Sequence, residues 1–138
     1  MGEIDLGRIE GEFLQTFLRD GGVPPISIIV AGGRIVDSLP VLGDRALFTE
    51  IVRRRCRETG ADTVVVYAEA WGAVDSPDSP RPSMRPDRRE LLMAYTENDS
   101  GSSVRAWPII RNCGRVLLGD VQTMGTAAGG GFDNLLGR

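Results

Sequence analysis

The sequence predicts an α+β domain: two helices packed on a mostly antiparallel sheet, built as a hairpin followed by a C-terminal meander. Three observations predict it. Apolar residues recur at helical spacing in two stretches, Leu6 to Leu18 and Leu47 to Cys56. A Gly-Gly pair separates two short runs of β-branched residues, the pattern of a tight hairpin. The last three β runs are divided by turns too short for anything but antiparallel pairing.

In the first helix Leu6, Ile9, Phe13, Leu14, Phe17 and Leu18 form an amphipathic face. Asp5 is placed to cap its start and Gly21-Gly22 to end it. Pro24-Pro25 then forces an extended entry into Ile26–Ala31. Gly32-Gly33 suits a two-residue primed turn, which needs positive φ at both positions. A phosphate-binding glycine loop is excluded there, because no lysine and no helix start follow the glycines. Asp44 caps the second helix, Leu47, Phe48, Ile51, Val52 and Cys56 form its apolar stripe, and Gly60 is its natural end.

Strands are expected over 63–71, about 89–97, 103–111 and 115–121, with turns at Asn98–Gly101 and Asn112–Gly114. Pro108 places its strand at an edge or a bulge, since proline cannot donate to a ladder. Residues 1–124 are expected to form one domain. Residues 125–138 are expected to be a Gly-rich flexible tail that delivers Phe132, Leu135 and Leu136 as apolar anchors. That tail either folds back on its own domain or docks on a neighbouring subunit.

Composition removes several chemistries. The 138-residue chain has no histidine, and all 16 of its basic residues are arginine. No imidazole base, histidine-ligated metal, Schiff-base lysine or P-loop lysine is available. The arginine-for-lysine usage fits a GC-rich bacterial or phage genome. The net charge of −3 argues mildly against a protein that tracks nucleic-acid backbone. Cys56 and Cys113 are too far apart in sequence for a metal motif and are expected to be reduced thiols. The acidic start lacks the pattern of a signal peptide, and no apolar run approaches membrane-spanning length. The expected location is the cytoplasm of a bacterial host cell, or a virion.

The candidate site is the stretch from Tyr67 to Tyr95. A strand ends at Glu69-Ala70-Trp71, a long loop rich in proline and arginine follows, and a strand resumes at Arg89-Glu90. Glu69, Trp71, Arg85, Asp87, Arg88 and Glu90 are the candidate binding residues, presented by a rigid scaffold. Period-two alternation puts Arg105, Trp107, Ile109 and Arg111 on one face of the next strand, where guanidinium groups either form a recognition surface with the indole or cover it. Carboxylates of Glu69, Asp87, Glu90 and Glu97 are an alternative set for Mg²⁺ or Mn²⁺. Pro86-Asp87 before a strand is similar to the Pro-Asp…Glu-x-Lys layout of a nuclease superfamily, but Asn98-Asp99 follows Glu97 and the lysine is missing. Arg53, Arg54 and Arg57, opposite the stripe of the second helix, are the alternative nucleic-acid contacts. Arg55 lies nearer the stripe.

Glu69-Ala70-Trp71, Arg81-Pro82-Ser83 and Pro86-Asp87-Arg88-Arg89-Glu90 together resemble a signature of small uncharacterised proteins of phages and bacteria. Ile110-Arg111 and Gly131-Phe132 with Leu135-Leu136 fit the same family less distinctively. The resemblance implies a phage or prophage setting and a compact α+β fold, and no activity. With no complete catalytic set, the expected function is a non-enzymatic binding or assembly module with a protein partner or a homo-oligomeric state, and without metal or cofactor.

Overall fold

Strand alternation sorts the sheet's side chains onto two faces, and each face takes one helix. The computed structural model describes residues 6–72, 89–124, 132 and 134–137. Helix α1 (Leu6–Asp20) precedes the hairpin β1 (Ile26–Ala31) and β2 (Arg34–Pro40). Helix α2 (Arg45–Thr59) leads to β3 (Thr63–Gly72), β4 (Arg89–Asn98), β5 (Gly101–Asn112), β6 (Arg115–Leu118) and β7 (Gln122–Met124). The sheet has seven strands in the order β2-β1-β3-β4-β5-β6, with β7 also on β5, and every pairing is antiparallel. The α+β class with two helices is therefore as the sequence predicts.

On one face Phe13 and Phe17 of α1 pack on Ile28, Val65, Tyr67, Leu92 and Trp107. On the other, Phe48, Val52 and Cys56 of α2 pack on Ile29, Val64, Val66, Met93 and Tyr95. Successive residues of β3 go to opposite clusters, which is the strand period expressed as two cores. Burying a side chain such as Phe48 or Val66 contributes about 1.5–3 kcal/mol relative to leaving it in water, so each face holds its helix by several such anchors.

The local signals act as expected. Gly32 and Gly33 both have positive φ, 58° and 76°, in the β1–β2 turn. Asp44 Oδ1 accepts from the Leu47 N–H at 3.0 Å, and Gly60 ends α2 in the left-handed region. The stripe of α2 is narrower than predicted: Leu47 and Ile51 stay exposed at 47% and 39%. Phe48, Val52 and Cys56, four residues apart, already fill the contact with the sheet.

Pro108 is not on an edge strand. β5 pairs with β4 on one side, and with β7 at 104–106 and β6 at 109–112 on the other. Pro108 lies at the gap between β6 and β7, where no ladder donor is required. Its carbonyl accepts from the Gly119 N–H at 2.8 Å. The expected strand over 115–121 ends at Leu118, and β7 at Gln122–Met124 is a further strand beyond the expected range.

Candidate functional site

The ten-residue register of β3 on β4 runs from Thr63 opposite Asn98 to Gly72 opposite Arg89. It brings the two ends of the intervening segment, 73–88, out of neighbouring strands. Trp71 stands opposite Glu90 and Glu69 opposite Leu92, so Glu69 and Glu90 are diagonal neighbours on the α1 face. Arg111, from the end of β5, grips Glu90 with both arms of its guanidinium, Nε to Oε2 at 2.7 Å and Nη2 to Oε1 at 3.1 Å. The hydrogen bonds from Arg111 hold the Glu90 carboxyl below its usual range, and the same contact raises Arg111.

Glu69 differs from Glu90. It is exposed and makes no hydrogen bond or ion pair with another described residue, although its charge also reaches Arg111. Its Oε2 lies 3.9 Å from where a Cβ on Gly22 would stand, beside the turn that leaves α1. Three strand ends and this turn thus converge on one surface carrying a Glu90–Arg111 fork and the exposed Glu69 carboxylate. Arg85, Asp87 and Arg88, the other candidates for this site, lie outside the described residues, and so does the side chain of Trp71.

The candidates on β5 have different roles. Trp107 is 9% exposed and belongs to the α1 core, so the indole is not a free recognition surface. Arg105 covers it, with Cζ 5.8 Å from the ring centroid. Arg105 also forks onto Glu10 of α1: Nη1 donates to Oε2 at 2.9 Å and Nη2 to Oε1. Ala94 lies in register between Tyr67 and Arg105, and its small side chain leaves room for both. Burial raises the Tyr67 phenol to about 12, with the Glu10 charge adding to the shift.

The most completely engaged carboxylate is Glu97. It lies on the α2 face of β4, in alternation with Met93 and Tyr95, and is 7% exposed. Oε1 accepts from the Tyr95 hydroxyl and the Leu135 N–H, and Oε2 from the Leu136 N–H, each at 2.8 Å. Through these bonds the C-terminal segment is seated on its own domain. Leu135 and Leu136 are buried, and the Phe132 ring lies 5.8 Å from Phe48 and 5.9 Å from Tyr95. Arg45 Cζ stands 4.5 Å over that ring.

This seat also engages two of the three arginines considered for nucleic acid. Arg53 Nε donates to the Asn134 carbonyl at 2.8 Å. The side chains of Arg53 and Arg57 approach Gly137 so closely that an added Cβ would meet them at 3.4 Å. Arg54 is exposed, and Arg55 pairs with Asp37 of β2 at 2.6 Å and with Glu58 at 3.2 Å. Among the described residues, no three His, Cys, Asp or Glu side chains converge to hold a metal ion. No described helix is long and apolar enough to cross a membrane.

The sequence reading counted Glu97 among carboxylates for a metal and missed its structural role. A signal was present, because Glu97 occupies an inward position of an otherwise apolar strand face, where a charge requires partners. Glu10 and Arg45 carried no comparable signal. No protein-family model, curated protein or solved structure matches this chain.

Proposed function

We propose that this domain is a non-enzymatic binding or assembly module of phage or prophage type, and that it meets a protein partner or a second copy at the β3–β4 end. One observation carries the proposal. Among the described residues, Glu90 is engaged by Arg111, while Glu69 is exposed on the same surface and makes no hydrogen bond or ion pair with another of them. A fixed charge pair beside an exposed carboxylate suits orientation of a partner, since complementary charge steers encounter and fixes register. A metal-dependent hydrolase would need several carboxylates free to converge on one ion. The phage setting rests on the resemblance of the Glu69–Glu90 region.

A second feature favours contact with protein over nucleic acid. Ile110 and Leu117 stand opposite each other across β5 and β6 and are 46% and 50% exposed. An apolar pair of this kind is suited to burial against another protein surface.

The test is a photoreactive residue in place of the exposed Arg89, opposite Gly72 at the same strand end, irradiated in cells that express the otherwise intact chain with Glu69 unchanged. Covalent capture of one defined protein, or of a second copy, is expected, with loss of the product in Arg111→Ala. Absence of any product, together with Mg²⁺- or Mn²⁺-dependent hydrolysis of a phosphodiester that Glu69→Gln abolishes, would replace the proposal with the hydrolase. Capture of nucleic acid that falls steeply with salt would replace it with the arginine-based binder.

A further inference from the structure

We infer that the seat of Phe132 and of Asn134, Leu135 and Leu136 is an exchangeable peptide site, and that a second copy of this chain supplies the same residues to it, each copy's C-terminal segment lying on the other. The inference concerns the α2 face and is independent of the β3–β4 surface.

The site is built to recognise main chain. Glu97 reads the two successive N–H groups of Leu135 and Leu136, and Arg53 reads the Asn134 carbonyl. Side-chain recognition includes an aromatic pocket for Phe132 under Arg45 and burial of the two leucines. A short peptide with an aromatic anchor and two apolar anchors satisfies all of these contacts. The segment adds no strand to the sheet, so it is attached as a discrete unit.

Connectivity does not force the seating to be internal. Between Met124 and Phe132 stand seven residues, Gly125 to Gly131, four of them glycine. Met124 is in register with Val104, and Val104 with Tyr95, which touches Phe132. Two strand spacings cover about 10 Å, whereas the linking chain reaches roughly 28 Å when extended. The chain is therefore longer than its own seat requires. An identical seat on a second copy offers the same bonds, and exchange of identical elements is a low-cost route to a two-fold dimer.

The experiment uses the full chain and a labelled peptide of residues 131–138. Leu135→Asp with Leu136→Asp vacates the seat and leaves its walls intact. The peptide is expected to bind this variant saturably by fluorescence anisotropy, and to lose binding when Glu97→Ala is added. The intact chain should bind the peptide at least ~10-fold more weakly, because its own segment competes at a high effective concentration. The mass of the intact chain by light scattering should rise with concentration towards two chains, and the double variant should remain at one. Failure of the peptide to bind the folded variant, or a single-chain mass at every concentration, overturns the inference. If the variant does not fold cooperatively, the intact chain decides: no displaceable peptide binding to it also overturns the inference.

Discussion

The backbone N–H of Leu135 meets the Glu97 carboxylate at 2.8 Å across 38 positions of sequence. With Leu136 and the Tyr95 hydroxyl on the same carboxylate, one buried side chain joins a central strand to the C-terminal segment. Such a group is costly to bury alone and specific when satisfied. It makes the segment part of the α2 face.

Glu97→Gln should lower stability by about 2–4 kcal/mol, because an amide has one acceptor oxygen and must turn its NH₂ towards an N–H donor. The urea midpoint measures the loss. Glu90→Gln, at a more exposed pair, should lower that midpoint by much less.

Tyr67 should resist ionisation. Its phenol is raised to about 12, against ~10 in the unfolded chain. A raised folded value means that its contribution is fully present below pH ~10 and is lost as pH rises towards about 12. Phenolate absorbance in the intact protein, compared with Tyr67→Phe, should show the missing titration only near that upper limit.

Acid should act on the other side. Hydrogen bonds from Arg55 lower Asp37, with the Ser38 N–H assisting, and hydrogen bonds from Arg111 lower Glu90. Depressed carboxyls stabilise above their unfolded values of ~4 and lose that contribution as pH falls through the folded values. Urea midpoints should hold between neutral pH and about 5, then fall. The fall should be shallower in Asp37→Asn with Glu90→Gln.

The two thiols should separate cleanly. Cys113 is exposed in the β5–β6 turn and Cys56 is buried on the sheet-facing side of α2. A thiol reagent should label Cys113 rapidly in the native protein and Cys56 only after unfolding. Rapid labelling of both would show that α2 does not cover its face.

Gly60 ends α2 at φ 67° with open space around the position of a Cβ. Gly60→Ala should therefore cost about 1–2 kcal/mol through backbone conformation alone. Thermal unfolding of that variant measures it.

Much of the fold was legible because its signals are local. Helical spacing around Phe13 and Phe17, the Asp44 and Gly60 caps, the Gly32-Gly33 turn and the short turns of the meander each specify structure within a few residues. The α2 boundary of burial was not legible, because whether Leu47 and Ile51 reach the core depends on how wide a face the sheet offers. Pro108 was legible in part: the edge reading fails because β5 has neighbours on both sides, while the bulge reading agrees with the one-residue register shift between Ala106–Gln122 and Ile109–Leu118. At the candidate site, Glu69 and Glu90 share a face because of the β3–β4 register, and the choice of Arg111 as partner depends on β5 lying beside β4, neither of which is a local signal. The Glu97 clamp and the Arg105–Glu10 fork join residues 38 and 95 positions apart, and no local pattern encodes such pairings.

Amide hydrogen exchange at Leu135 and Leu136 in the intact chain probes the clamp and its independence at once. Both amides should be protected, with an opening free energy clearly below that of core amides such as Val66 and Met93, and Glu97→Gln should remove most of that protection. Unprotected amides would mean that Glu97 does not hold the segment. Protection equal to that of the core would mean that the segment opens only when the whole domain unfolds, and is no separable unit.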